Sequence, residues 1–185
     1  MKKWFYEIVY RFVLADWIFG STAKIENFVK MAIDGRIEPC KAITLGCGVG
    51  RETIYLAKQG FDVIRLDFSP TAIKHARRRA KAAGVEVPFI VDDLTNLQHV
   101  SGTFDLVTDF GAFNDMSPDA RDLYMENVLP LILPGSHYAM FCFERMLPPD
   151  EVEQRFSKHF SIDALDRTPG SRFPGTLTLY LMVRR

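Results

Sequence analysis

From about residue 42 onward, short apolar runs alternate with segments whose apolar residues recur every three or four positions. The first pattern has the period of a strand and the second that of a helix. AITLG (42–46) is a strand ending in glycine, and RETIYLAKQG (51–60) is a helix closed by Gly60. FDVIRLD (61–67) is the second strand. SPTAIKHARRRAKAAG (69–84) is a helix in which Ser69 caps the first turn, Pro70 suits it and Gly84 ends it. VEVPFIV (85–91) is a third strand, with Pro88 marking its start or an exposed edge. FDLVTDF (104–110) is the fourth, a helix runs from about Pro118 to Leu129, the turn LPGS follows, and HYAMFCF (137–143) is the fifth. EVEQRFSKHF (151–160) is helical, and FSIDAL and TLTLYLMV close the chain around RTPGSRFPG. Two strands joined without a helix pair antiparallel. The alternation before them implies an α/β fold: a doubly wound, mostly parallel sheet with helices on both faces.

The N-terminal stretch follows neither pattern cleanly. MKKWFYEIVYRFVLADWIFGSTA superficially resembles a signal peptide, but Glu7, Arg11 and Asp16 interrupt the apolar segment such a peptide needs. It carries Trp4, Phe5, Tyr6, Tyr10, Phe12, Trp17 and Phe19. An aromatic helix packed on the body is one reading and a lid over a binding site is another. The chain contains no repeat, low-complexity tract or linker, so residues 1–185 read as one domain. Residues 1–35 form its helical cap or lid and 40–185 its ligand-binding core.

Composition narrows the partners. At 185 residues with 48% hydrophobic content, the chain can bury a full core. A formal net charge of zero provides no general attraction to nucleic acid or an anionic membrane. No run approaches the roughly 18 apolar residues of a membrane span. Cys40, Cys47 and Cys142 lack CxxC spacing, which implies reduced thiols in a cytoplasmic protein. His75, His99, His137 and His159 share no metal-ligand spacing, so no metal is expected. The basic run KHARRRAK (74–81) reads as the solvated face of an amphipathic helix.

The candidate chemistry lies at strand ends. Open α/β sheets bind ligands at the carboxyl ends of their strands, near the point where strand order reverses. GCGVG follows the first strand, and its glycines let backbone pass close to a ligand. A nicotinamide fingerprint needs G-x-G-x-x-G, but here the third position is Arg51 and the glycine comes one residue early, at Gly50. There is no G-x-x-x-x-G-K-[ST] phosphate loop either. Taken alone, the loop can be a turn that packs helix on strand. Asp67 ends the second strand, where a carboxylate can accept both hydroxyls of a ribose. Asp93 follows the third in IVDDL, where it can accept an adenine amino group. A glycine loop and two acids at successive strand ends describe an adenosine without a pyrophosphate.

With LGCGVGRETIYLAKQGFDVIRLDFSPTAIKHAR, VDDL, FDLVTDFGAF and LPLILPGS in that order, the chain resembles the class I S-adenosylmethionine-dependent methyltransferases. The likeness is greatest to their small single-domain members of the thiopurine, halide/thiol and tellurite-resistance types. It implies a Rossmann-like seven-stranded sheet with an antiparallel C-terminal hairpin strand. It also implies S-adenosylmethionine as cofactor, with S-adenosylhomocysteine as product. Gly46, Cys47 and Gly48 would pass under the methionyl part, with Thr44 and Arg51 flanking the loop. Asp67 would hold the ribose hydroxyls with Phe68 beside the adenine, and Asp93 and Leu94 would meet the adenine edge. Asp109, Phe110 and Gly111 would line the cofactor near its sulfonium. Thr44 stands where members usually carry an acid that fixes the loop and the cofactor's amino end, and Arg65 stands where glycine is common. The segment after FCFER is shorter than in members that insert a helix there, which implies an open or partner-completed pocket.

Methyl transfer from a sulfonium needs alignment and a dry pocket, and a base only for a protonated acceptor. Asp115, after FGAF, and Glu144, after FCF, are the candidate orienting acids; helix capping and a surface ion pair are their respective structural alternatives. The expected activity is methyl transfer to a small-molecule acceptor by a monomer or homodimer, with no nucleic-acid or membrane partner. The N-terminal aromatics suit an apolar, aromatic, thiol or halide acceptor. Two alternatives remain: a cofactor-binding relative with weak or lost catalysis, and a nucleotide-dependent oxidoreductase on a related sheet. Removing the side chain of Asp67 is expected to remove most cofactor affinity with little loss of folding.

Overall fold

A computed structural model describes residues 3–12, 22–46, 48–169 and 175–185. Cys47, Trp17, Phe19 and most of the RTPGSRFPG connection lie outside the described residues. Two helices come first, α1 (Lys3–Arg11) and α2 (Thr22–Ile33). The core then alternates β1 (Lys41–Leu45), α3 (Arg51–Lys58), β2 (Asp62–Asp67), α4 (Pro70–Ala82) and β3 (Phe89–Val91). It continues through β4 (Phe104–Asp109), α5 (Pro118–Val128), β5 (Ile132–Phe143), α6 (Pro149–Phe156), β6 (Phe160–Pro169) and β7 (Thr176–Arg184).

The seven strands form one sheet in the order β3-β2-β1-β4-β5-β7-β6. The pairs from β3 through β5 are parallel, and β7 runs antiparallel to both β5 and β6. Strand order therefore reverses between β1 and β4, which opens a crevice at their carboxyl ends. β1 is central and buried on both faces. Ile43 and Leu45 point into a core with Val107, Tyr138 and Met140, while Ala42 meets Val29, Leu56, Val63 and Leu179 on the other side. β3 is an edge strand of three residues, and Pro88 immediately precedes it. Ser69 caps α4 by accepting the Ala72 N–H at 3.0 Å, with Pro70 in the first turn.

Two expected boundaries move. The LPGS turn lies inside β5: the ladder pairs Phe104 with Ile132, then Leu106 with His137. Leu133, Pro134 and Gly135 bulge outward between those pairs, exposed, with Gly135 at φ 86°. The helix expected over 151–160 starts at Pro149 and stops at Phe156, because Phe160 opens β6 and packs on Tyr138 and Phe156. Proline at the first helical position gives up only an N–H that has no partner there.

α1 packs on the body through Val9 and Tyr10, which cluster with Val49 and Ala72. α2 lies against α3 and β7. Phe156 is the hinge of the aromatic core: its ring centroid lies 5.2 Å from Phe113, 5.6 Å from Tyr138 and 5.9 Å from Phe160. Replacing a fully buried aromatic ring by a methyl leaves a cavity that such close packing does not refill. Phe156→Ala should therefore cost about 3–5 kcal/mol, read as the change in urea-unfolding free energy.

Candidate functional site

The carboxyl ends of β1 to β4 converge on the glycine loop, and two of its glycines are sterically compulsory. A Cβ on Gly46 would lie 2.3 Å from the Ala112 Cβ in the loop after β4. A Cβ on Gly50 would lie 1.6 Å from Arg65 Nη1. Both residues also have left-handed φ, 61° and 86°. The loop is thus pressed between the loop after β4 and the Arg65 guanidinium.

Asp67 is almost fully buried beside it. Its Oδ2 accepts the Gly48 N–H at 2.8 Å and its Oδ1 accepts the Ser69 N–H at 2.9 Å. Burial pushes its pKa up to about 6, against the opposing pull of those N–H donors and of Arg65. The two acids of IVDDL divide their work. Asp92 turns inward to accept the N–H groups of Gln98 and His99. Asp93 faces outward, accepts from Thr95 and forms an ion pair with Lys3 of α1. Burial would raise the Asp93 pKa, but Lys3 and Thr95 hold it below the usual carboxylate range. Leu94 is buried against the Gly46 position.

α1 crosses this row of residues. Lys3 reaches Asp93, Tyr6 packs edge-on against Phe68 at 6.3 Å, and the Tyr10 hydroxyl lies 3.1 Å from where a Gly48 Cβ would be. α1 thus packs on the body over the strand ends.

Asp109 is the anchor of the loop after β4. Its carboxylate accepts the N–H groups of Gly111, Ala112 and Phe113 at 2.8–3.3 Å and the Tyr124 hydroxyl at 2.8 Å. Tyr124 in turn shares a 2.8 Å hydrogen bond with Tyr138. Burial pushes Asp109 up to about 6 despite these donors. Its oxygens therefore face its own loop, while Phe110 turns to the other side of the sheet and stacks on Phe141 at 6.2 Å. Nothing lies within 4 Å of a Cβ built on Gly111. Thr44 is fully buried, and its hydroxyl accepts from Thr108 at 3.2 Å. Arg51 is buried at the start of α3, where burial first and Arg79 second lower its pKa.

The two candidate orienting acids part company. Asp115 sits beside the loop after β4, accepts from Asn114 Nδ2 at 2.8 Å, and is pushed up to about 6 by burial, partly offset by Arg121. Glu144 instead forms a two-point ion pair with Arg167, at 2.8 and 3.0 Å, and accepts the Thr178 hydroxyl at 2.6 Å. Its carboxylate pins β7 and β6, which matches its structural alternative. Arg121, which the sequence pattern did not single out, holds the site together. It donates to Phe113 O, Asn114 O and Met146 O and pairs with both oxygens of Glu151. The available signal was an arginine in register with Tyr124 and Val128 on the buried face of α5.

A second aromatic group lines the far side. Phe28 of α2 lies 4.5 Å from Phe141, and Phe141 in turn meets Phe110 and Phe143. Among the described residues there is no cluster of metal-ligating side chains and no helix long and apolar enough to cross a membrane. Cys40 and Cys142 are unbridged.

The buried acids make stability depend on pH in an uncommon sense. Asp67, Asp109 and Asp115 all have folded pKa values raised to about 6 from 3.8. Their contribution to stability is present below the unfolded value and lost as pH rises through 6. His137 and His159, whose pKa values burial lowers, oppose this on the acid side. With three acids in play, the unliganded protein should be more stable at pH 5.5 than at pH 7.5, by about 1 kcal/mol per acid. Thermal melts across that range check it, and a lower melting temperature at pH 5.5 would contradict it.

Comparison with known proteins identifies the family. A family model described as a methyltransferase domain matches residues 42–135. The chain is 30% identical over 149 residues to the 2-heptyl-1-hydroxyquinolin-4(1H)-one methyltransferase of Mycobacteroides abscessus, covering 74% of this chain and 65% of that one. It is 32% identical over 127 residues to the demethylmenaquinone methyltransferase of Thermus thermophilus, covering 65% and 57% respectively. This chain thus spans less than two thirds of the length of these relatives. Among solved structures, the 1,6-didemethyltoxoflavin-N1-methyltransferase of Burkholderia thailandensis, with bound 1,6-didemethyltoxoflavin and S-adenosylhomocysteine, shares the fold. Its TM-score is 0.76 at 19% identity, over 98% of this chain and 89% of that one. With half of its length inside the family model, the chain belongs to the methyltransferase domain family.

Proposed function

We propose that the protein is an S-adenosylmethionine-dependent methyltransferase acting on a small, apolar, aromatic acceptor. The observation that carries this reading is the row formed by Gly46 and Gly48, Asp67 and Asp93 at the ends of β1, β2 and β3, beside the strand-order reversal. These residues suit an adenosine. Each Asp67 oxygen accepts one N–H and keeps a lone pair for a ribose hydroxyl, and Asp93 faces outward with its carboxylate ionised. α1 acts as the cover: Lys3, Tyr6 and Tyr10 move off Asp93, Phe68 and Gly48 to admit the nucleoside and close behind it. By the family resemblance, the departing methyl would lie near Gly111, beside the Phe28, Phe110, Phe141 and Phe143 wall.

When bound, S-adenosylmethionine supplies a methyl already activated on sulfur, so the chain's own task is alignment and exclusion of water. An aromatic wall suits a flat apolar acceptor. Several relatives support this choice, including a hydroxyquinolone and a demethylmenaquinone methyltransferase. Asp115 is the acid placed to take a proton from an acceptor hydroxyl, while Glu144 stays in its ion pair. The second reading is a cofactor binder without turnover, favoured by the uncharged Thr44 under the loop. The family match leaves the oxidoreductase alternative without support.

Calorimetry with S-adenosylhomocysteine tests the binding half, and transfer of labelled methyl to hydroxyquinolines, quinols, thiols and halides tests turnover. Asp67→Asn should weaken S-adenosylhomocysteine at least tenfold, about 1.4 kcal/mol. Failure of the parent protein to bind S-adenosylhomocysteine at millimolar concentration would overturn the proposal. The structure revises the expectation for removing this side chain altogether. Asp67→Ala leaves the Gly48 and Ser69 N–H groups without their carboxylate, so it should also cost about 1–3 kcal/mol of stability.

A further inference from the structure

Arg65 is fully buried in the interior of β2, paired in register with Thr44 of β1 and Phe89 of β3. Burying a guanidinium is costly unless anions and acceptors surround it. Here its Nη2 donates to the Gly48 carbonyl at 3.1 Å, and its plane lies 5.0 Å from the centre of the Phe89 ring. The buried acids Glu52 and Asp67 face it; burial raises the pKa of both, and the Arg65 charge opposes that rise.

The geometry at Gly48 is specific. Its N–H is taken by Asp67 and its C=O by Arg65, two residues apart on one strand and therefore on one face of the sheet. A single residue is thus gripped through its N–H and its C=O by one acid and one base. An ionised acid at position 44 could hold only donors, whereas a guanidinium holds only acceptors. Thr44, directly across the ladder, accepts the Thr108 hydroxyl and brings no charge. The two departures from the resemblance, Thr44 and Arg65, are therefore neighbours in one structural arrangement.

We propose that Arg65 is a positioning residue for the cofactor, holding the glycine loop by the Gly48 carbonyl and facing the Asp67 carboxylate with its cation. This rests on the reading of Asp67 as the ribose acceptor. The groups around Asp67 are Arg65 on its own strand, Glu52 on α3 and Glu7 on α1, with Arg51 and Arg79 beyond Glu52. Arg65 is a cation close to it that favours the ionised form, so its loss moves the Asp67 titration to higher pH.

The test is S-adenosylhomocysteine calorimetry from pH 5.5 to 8 on the parent protein, Arg65→Met and Arg65→Lys, with thermal melts to confirm folding. The parent should lose affinity as pH falls through about 6, where Asp67 takes up its proton. Arg65→Met should bind at least tenfold more weakly at pH 7 and lose affinity at a higher pH than the parent. Arg65→Lys keeps the charge without the planar fork, so it should weaken binding at least threefold with the acid limb unmoved. A folded Arg65→Met with parental affinity and acid limb overturns the proposal. So does Arg65→Lys with parental affinity, which decides the matter where Arg65→Met does not fold. A parent protein that binds no S-adenosylhomocysteine sinks the cofactor reading itself.

Discussion

The site depends on how one peptide segment is held. Gly48 donates its N–H to Asp67 and gives its C=O to Arg65, both on β2, so the loop after β1 is attached to the neighbouring strand rather than to its own. Close approach then excludes side chains: Gly46 is pressed against Ala112 and Gly50 against Arg65. A loop with no side chains of its own at these positions has little rigidity, and the two charged groups beneath it supply what it lacks. Such charge-assisted hydrogen bonds are strong in a buried setting because little water competes for them.

The opposite bank of the crevice is held by a different arrangement with the same logic. Asp109 gathers three N–H groups of its own loop and the Tyr124 hydroxyl, and Tyr138 extends the network into the core. Arg121 then joins that loop to the end of β5 and to α6 through three carbonyls and Glu151. Asn114 completes the join by accepting the Phe143 N–H at 2.8 Å. Both banks therefore carry carboxylates kept in nearly dry surroundings, the common cause of their raised pKa values. Such networks are costly to leave half-satisfied, which favours a single arrangement of the loops around the ligand.

Much of this was legible in the residue order. The strand–helix alternation, the capped α4, the edge position of β3 and the antiparallel β7 follow from periodicity, Ser69 and Pro70, Pro88, and a terminal pair of strands without a helix. Asp67 and Asp93 were legible as strand-end acids. Arg121, Tyr124 and Tyr138 were not. Their types are polar or amphipathic, and only the packing of α5 on β5 shows that they point inward to partners far along the chain. The bulge in β5 escaped for a related reason, since LPGS is a turn by local chemistry and remains in the strand only because β4 continues beside it.

Glu144 and Asp115 show where the division falls. Each is an acid just past a strand end, and local sequence gives them the same standing. The hairpin brings Arg167 and Thr178 to Glu144, while Asp115 is left beside the loop after β4. Thr44 and Arg65 lie 21 positions apart in the chain, yet the parallel register of β1 and β2 makes them neighbours. Local sequence therefore determined the elements, their order and the chemistry available at each strand end, because propensity, capping and alternation act over a few residues. Which of those groups face a ligand, which face each other and which are spent holding the loops was decided by the tertiary structure. Those pairings join residues far apart in the chain, and their strength comes from burial that exists only once the sheet is assembled.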